Sequence, residues 1–446
     1  MSEQAAITGG ERPTPSNTGA IARLVGAVAF FVVIAAVFHG LDVLLVVAAL
    51  VLMVMLHEFG HFITAKASGM KVTEFFFGFG PRLWSIRRGE TEYGVKAIPA
   101  GGYVRIVGMT SLEDVPPEDE ARSYREATFP RRLLVAVSGS AMHFIIAFVL
   151  LFVMIAFTGT PKTLPNPEVG GLTAYSNRTN PAKAAGVRSG DFLVAVDGHH
   201  YTNVDRFITF IENHPNDTVS LTVRRSGRLL TLPVHVIDGR SADLVADHDQ
   251  PEKQGSRPVG VIGVDLNTSA LVTYPVLDSV PRAGVLLGRV VQVTGSGFAQ
   301  VFSFHGLRTF VHEVASARNA PSTPTSQGSS STKSSSSSSG ELLSLPGAVD
   351  VAVQALQNNV SELLYILVAI NLFVGMANLF PMLPLDGGHV AIAIYERIRS
   401  RPRRGRVYHA DVRKLMPVAY AFLAALVVLG LSALYVNIVQ PPSLPH

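Results

Sequence analysis

The chain contains no cysteine. That absence excludes thiolate metal sites, cysteine nucleophiles and a disulfide framework, and it leaves His, Asp and Glu as the side chains able to bind a metal. Charge is scarce too. Asp, Glu, Lys and Arg make up 16% of the 446 residues, against about 25% in soluble domains. Hydrophobic residues make up 48%, and the mean hydropathy is positive. The shortfall of charge points to a membrane protein. The net charge of +4 is small. Where the basic residues lie says more than their sum, because Lys and Arg in short loops mark the cytoplasmic side.

Five apolar stretches are long enough to consider as spans, each of which needs about 20 residues. They cover residues 21–38, 43–65, 133–157, 363–380 and 415–438. The first reads as a retained span rather than a signal peptide: only Arg23 precedes its apolar run, and no small-x-small cleavage site follows. Arg82, Arg87, Arg88, Lys96, Arg105, Arg125, Arg131 and Arg132 separate the second and third stretches. Arg397, Arg399, Arg401, Arg403, Arg404, Arg406, Arg413 and Lys414 separate the fourth and fifth. Both clusters are expected in the cytoplasm, with the N-terminus, which puts the long segment 158–360 and the C-terminus outside. The fold class expected is a polytopic α-helical membrane protein of the plasma membrane, and no nucleic-acid partner is expected.

Residues 1–20 read as a polar cytoplasmic tail, 21–38 as an additional span, and 43–158 and 360–440 as two halves of one membrane core. The external segment holds a compact α+β unit at 167–240. A short helix and glycine turn at Pro181–Asp191 lead into an apolar strand, Phe192–Val196, which ends at Asp197-Gly198. A helix is expected around Asp205–Asn213, followed by strands Val219–Arg224 and Leu229–Val236 joined at Ser226-Gly227. This order resembles a PDZ domain of the bacterial protease type. An extension of mixed patterning at 241–315 follows, then a Ser-rich linker at 316–340 that cannot bury a core.

The chemistry is concentrated in His57-Glu58-Phe59-Gly60-His61. Positions i and i+4 share one face of a helix, so His57 and His61 can grip one ion. Glu58 stands beside the first ligand, where it can take a proton from water activated by the metal. By composition alone such a pattern arises by chance on the order of 1–2% of the time. Its location inside an apolar helix changes the odds, because ionisable groups there are costly and functional by default. Two imidazoles do not complete a zinc site. Asp386 is the candidate third ligand, in Asn378-Leu379-Phe380-Pro381-Met382-Leu383-Pro384-Leu385-Asp386-Gly387-Gly388-His389. Charge placement brings the cytoplasmic ends of the second and fourth spans, and so both motifs, to one depth. Pro381, Pro384, Gly387 and Gly388 cannot continue a regular helix, and broken backbone at membrane depth is tolerated where it lines a wet cavity. Thr91–Ile98 and Tyr103–Val107, separated by Pro99-Ala100-Gly101-Gly102, read as a β-hairpin, either one whose edge can pair with an extended substrate or a plain cytoplasmic hairpin.

These motifs together resemble the site-2 protease family of intramembrane zinc metalloproteases, in its bacterial and more narrowly its actinobacterial branch. Gly78-Phe79-Gly80-Pro81-Arg82-Leu83-Trp84-Ser85 and Asp386-Gly387-Gly388-His389-Val390-Ala391 carry the closer likeness. The resemblance implies Zn2+ held by His57, His61 and Asp386, Glu58 as base, and Asn378, Pro381 and Pro384 seating the substrate. It implies that the hairpin is a membrane-re-entrant β-hairpin loop. It implies cleavage of single-span membrane proteins such as anti-sigma factors after an upstream site-1-type protease has trimmed them, with the PDZ-like domain filtering substrates by size. One departure stands out. Where the family often has Gly-Pro-x-x-Asn, this chain has Gly139-Ser140-Ala141-Met142-His143, and His143 reads as a helix-contact residue or as one near the site, with the former favoured. A silent scaffold that binds partner tails through its PDZ-like domain is the competing reading. Such a chain would be free to lose Glu58 or a ligand, and it has kept them all. A transporter would need ionisable groups at mid-depth in its other spans, and they offer only His143.

Overall fold

The structure is a computed structural model. It describes residues 40–109, 113–175, 179–201, 204–241, 258–301, 303, 305–306, 308–309, 344–400, 408 and 410–439. The stretches expected as the tail (1–20), the first span (21–38) and the Ser-rich linker (316–340) lie outside these residues. The chain divides into two units: residues 1–154 with 276–446, and residues 155–275.

The first unit begins with helix α1, Gly40–Ala67. It starts and ends a little beyond the expected span, and at about 1.5 Å per residue it is long enough to cross a bilayer. Strands β1, Val72–Arg88, and β2, Thr91–Ile106, follow. Here the expected hairpin is corrected. Thr91–Ile98 and Tyr103–Val107 are not partners of each other. Glu74–Phe77 lies between them, pairing with Glu92–Val95 on one side and Gly102–Arg105 on the other. Arg82–Arg88 pairs with the far side of Thr91–Lys96. Both strands bend sharply, and Gly78 and Gly80 take positive φ at the bend in β1, a conformation glycine adopts without steric cost. Pairs of charges fasten this sheet to the segment after it: Arg122 grips Glu90 at 2.7 and 2.9 Å, and Lys71 meets Asp119. Helix α2, Phe129–Val153, then returns through the core.

The second unit is a six-stranded antiparallel sheet with two short helices. Strand β3 is Thr160–Leu172, helix α3 is Pro181–Ala184, β4 is Phe192–Val196 and β5 is His199–His200. Helix α4 is Val204–Glu212, β6 is Thr218–Arg225 and β7 is Arg228–His235. Strands β8, Ile237–Asp238, and β9, Gly260–Val261, form a small pair, and β10 is Val264–Val272. The sheet order is β10-β3-β4-β6-β7, with β5 on β4. Asp197-Gly198 and Ser226-Gly227 all take positive φ, as two-residue hairpin turns demand. Helix α4 buries Phe207 and Ile211 against Leu193, Leu221 and Val234 of the sheet. The sheet is larger than the unit at 167–240 suggested, because β10, from the segment read only as an extension, pairs with β3 from Val264↔Leu172 to Val272↔Thr160.

The first unit resumes with helix α5, Val276–Val301, also from the unassigned extension. It lies on α2 and on α7, where Phe298 stacks on Phe373 at 5.7 Å. Helices α6, Leu345–Asn358, α7, Val360–Asn378, α8, Asp386–Ser400, and α9, Met416–Val439, complete it. Among the described residues four helical stretches are long and apolar enough to span a membrane: Gly40–Ala67, Phe129–Thr158, Val360–Asn378 and Val412–Ile438. Their exposed apolar faces, such as Leu45, Leu52, Leu134, Ile145, Val427 and Leu431, fit a lipid surrounding. A buried ion pair, Arg132–Glu396 at 2.6 Å, ties α8 to α2. Glu396 also accepts the Ala410 N–H, and the Arg132 guanidinium lies over the Tyr124 ring.

Candidate metal centre

Helical spacing alone sets His57 and His61 on one face of α1, and that face is turned into the protein: His57 is 7% and His61 4% exposed. What lets another helix approach them is glycine. A Cβ on Gly60 would lie 2.6 Å from the Ser138 carbonyl oxygen, so α1 and α2 touch backbone to backbone there, as small residues permit in membrane helix pairs. Thr64 strengthens this contact by donating to the Gly60 carbonyl and meeting the Ser138 hydroxyl at 2.9 Å. The His61 Nδ1–H donates to the Val135 carbonyl oxygen at 2.8 Å. That bond fixes the tautomer and leaves Nε2 free as a ligand.

Asp386 arrives from the other side. Helix α7 stops at Asn378, and the Leu379–Leu385 turn satisfies its own backbone as it goes. Phe380 N–H donates to Ala377 C=O, Leu385 N–H to Met382 C=O, and Gly388 N–H to Leu385 C=O. Asp386 is the first residue of α8. Its Oδ2 stands 3.4 Å from His57 Nε2 and 3.2 Å from His61 Nε2, and one ligand atom from each of the three residues falls within 4.8 Å of the others. Among the described residues this is the only such group of three or more His, Asp or Glu side chains.

Zinc fits this arrangement. Ligand bonds of about 2.0–2.2 Å in tetrahedral geometry place neighbouring donor atoms about 3.3–3.6 Å apart, close to the 3.4 and 3.2 Å between Asp386 Oδ2 and the two imidazole nitrogens. Asp386 Oδ2 is buried and, among the described residues, accepts no hydrogen bond, a costly condition for a carboxylate oxygen unless a cation satisfies it. Gly139 keeps the space open: a Cβ there would lie 2.3 Å from His61 Nε2 and 2.7 Å from His57 Nε2. Two neutral imidazoles and a carboxylate also match a catalytic zinc donor set that leaves a position for water.

Glu58 lies on the adjoining face of α1, with the Val104 backbone of β2 beside its carboxylate. The β2 edge Gly102–Arg105 therefore runs beside the histidines. A cavity of about 500 Å³ lies along this edge, lined by Tyr103, Val104, Arg105, Met109 and His389. A second, of about 490 Å³, shares Met109 and His389 and reaches Pro384, Tyr124 and Arg132. The residues expected to seat substrate are less tightly gathered than the ligands. Asn378 closes α7, Pro384 lines the second cavity, and Pro381 lines a different one of about 410 Å³ toward Tyr395 and Leu415.

Two residues of the centre were only partly read in the sequence. Gly139 matches the glycine of the family's Gly-Pro-x-x-Asn pattern, but its place against the histidines gave no local signal. His143, read as a helix contact, does contact another helix through Asn371, but its ring also lies 5.0 Å from that of His57.

A buried pair of histidines and a carboxylate, gathered by apolar helices around a space that only glycine leaves free, define a membrane-embedded metallohydrolase. Residues 45–426 match Peptidase family M50, and the chain belongs to that family. It is 31% identical over 418 residues to the zinc metalloprotease Rip1 of Mycobacterium tuberculosis strain Erdman, covering 90% of this chain and 97% of the relative. Against the Rip1 protein of Mycolicibacterium smegmatis the identity is 30% over 427 residues, covering 91% and 99%. The protein is thus a zinc metalloendopeptidase of the membrane, akin to the site-2 proteases.

Proposed function

We propose that the protein hydrolyses peptide bonds in transmembrane segments of single-span membrane proteins, with His57, His61 and Asp386 holding zinc and Glu58 as the base. The observation that carries this reading is the approach of Asp386 Oδ2 to both imidazole Nε2 atoms. When bound, the zinc ion supplies a Lewis acid that makes water nucleophilic near neutral pH. Glu58 takes the proton released as water attacks the scissile carbonyl and delivers it to the departing amide nitrogen.

A peptide bond inside a helix is shielded by its own hydrogen bonds, so the substrate must first unwind. The outer edge of Gly102–Arg105 offers backbone groups to an extended segment beside Glu58, and the cavity along that edge gives it room. Asn378, Pro381 and Pro384 help seat the unwound chain. The substrates are proteins such as anti-sigma factors, already shortened by an upstream site-1-type protease. The 167–240 region acts outside the cytoplasm as a PDZ-like filter that excludes partners with intact external domains, and the zinc site lies toward the cytoplasmic side. The charge clusters after α1 and within 397–414 support this sidedness.

The test is Glu58→Gln in the full-length protein. It should keep its zinc, its elution profile and its thermal stability while cleavage of a reconstituted single-span substrate falls by at least about a thousandfold, as loss of an essential proton carrier implies. Cleavage at the parent rate would remove Glu58 from the mechanism.

A further inference from the structure

Metal-binding histidines ordinarily donate their second ring N–H to an acceptor that fixes the ring. His61 does so through the Val135 carbonyl. His57 does not: its Nδ1 is buried and, among the described residues, has no hydrogen-bond partner. Its ring is held by ring contacts instead. His61 meets it edge-on at 4.9 Å, and His143 lies across it at 5.0 Å with the planes 45° apart.

His143 is itself held in one orientation. It is 2% exposed, and Asn371 on α7, 1% exposed, grips it twice. Asn371 Nδ2 donates to the His143 backbone carbonyl at 2.6 Å, and Asn371 Oδ1 lies 2.6 Å from His143 Nδ1. The first bond decides the second. With the amide nitrogen committed to a carbonyl, the amide oxygen must face the ring, so His143 Nδ1 carries the proton and donates it. Gly375, one turn beyond Asn371, makes room: a Cβ there would lie 2.6 Å from His143 Cβ.

We propose that His143, clamped by Asn371, is the positioning residue for His57, doing by ring packing what the Val135 carbonyl does for His61 by a hydrogen bond. The proposal rests on the reading of His57 as a metal ligand. It also gives the clamp a second consequence. Asn371 belongs to the helix that leads to Asp386, and His143 belongs to the helix whose Gly139 borders both ligand nitrogens. One pair of side chains therefore sets the spacing between the histidine side of the site and the aspartate side.

The experiment uses the full-length protein in detergent, loaded with cobalt(II) in place of zinc, with two readouts besides activity: the visible absorption spectrum and the metal dissociation constant by chelator competition. Thermal unfolding in excess chelator reports the fold separately. His143→Leu and Asn371→Leu should each weaken cobalt binding about 10- to 100-fold, the usual cost of losing a ligand's support. Each should also shift the cobalt bands. His143→Asn, which keeps a donor to Asn371 Oδ1 but removes the ring that lies across His57, should weaken binding as His143→Leu does. A purely structural helix contact would instead lower the unfolding temperature in chelator and leave spectrum and affinity unchanged in the folded fraction, which overturns the proposal. If His143→Leu does not fold, Asn371→Ser, which leaves the His143 ring in place but unclamped, carries the same test. His57→Ala separates the two levels. Cobalt binding that survives His57→Ala sinks the ligand reading. Binding lost there but unaltered in the clamp variants sinks the positioning role alone.

Discussion

At the scale of single residues, the metal centre depends on a side chain that is missing. Gly139 presents bare backbone to the Nε2 atoms of His57 and His61, and helices α1 and α2 are in backbone contact there, with the Ser138 carbonyl against Gly60. Gly139→Ala adds only a methyl group, a substitution that an isolated helix would welcome by about 1 kcal/mol. Here it should cost at least about tenfold in zinc affinity, by analogy with other disturbances of ligand geometry, while the unfolding temperature in chelator holds or rises. Zinc content after dialysis, set beside that temperature, checks the pair of effects, and full zinc occupancy would mean that the helices part more easily than their contacts suggest. The histidines were legible because i, i+4 spacing is a property of one helix, and Asp386 because charged loops fix depth. Gly139 was not, because a close approach between two helices leaves no local trace. His143 was misread in part for the same reason: its neighbours His57 and Asn371 come from two other helices.

At the scale of elements, local signals and long-range pairings fared differently. The strands at Phe192–Val196, Thr218–Arg225 and Arg228–His235 form close to where alternation and turn residues put them, because each is bounded by a turn whose chemistry is read within two residues. The sheet of β1 and β2 was misjudged, because Pro99-Ala100-Gly101-Gly102 looks like a turn while the true partner, Glu74–Phe77, lies further back in the chain. Strand β10 escaped for a similar reason, its partner β3 being separated from it by most of the unit. One tie across the sheet of the second unit yields a prediction. Asp191, 1% exposed, accepts Arg225 Nε and Nη2 at 2.7 Å each and the Arg188 N–H at 2.9 Å. Burial alone would push its carboxyl up, but Arg225 and the Arg188 N–H outweigh burial and hold it below the usual aspartate range. A carboxyl lowered in the folded state stabilises that state above its unfolded value of about 3.9 and ceases to do so as pH falls through the lower, folded value. Asp191→Asn should therefore cost the external unit about 2–3 kcal/mol at neutral pH. The gap from the parent should stay constant down to the ordinary aspartate range and close only in more acid solution. Pulse proteolysis in urea across a pH series measures it, and a gap independent of pH down to full acid unfolding would show that the charge is not what stabilises the tie.

At the scale of the whole molecule, the proposed sidedness would turn separate motifs into one machine. The HEFGH helix and the Asp386 turn are about 325 residues apart in sequence, and two separate clusters of Lys and Arg support the proposal that their ends share one side of the membrane. Between Gly89, which follows α1, and Asn213, which follows α4, the described residues contain one stretch apolar and long enough to cross, Phe129–Thr158. An odd number of crossings requires the two positions to face opposite compartments whatever the fate of residues 21–38, so the test does not depend on the first apolar run. A periplasm-active phosphatase fused after Asn213 should be active and a fluorescent protein fused there dark, with both signals reversed after Gly89. The absolute sign matters as much as the opposition. Arg82, Arg87 and Arg88 precede the first junction, and an active phosphatase there would put the basic sheet, and the zinc site beside it, on the outer side. If both positions reported the same compartment, Phe129–Thr158 would not cross. The depth that Gly139 and His143 share with the histidines would then have to be reached by a helix that enters the bilayer and turns back.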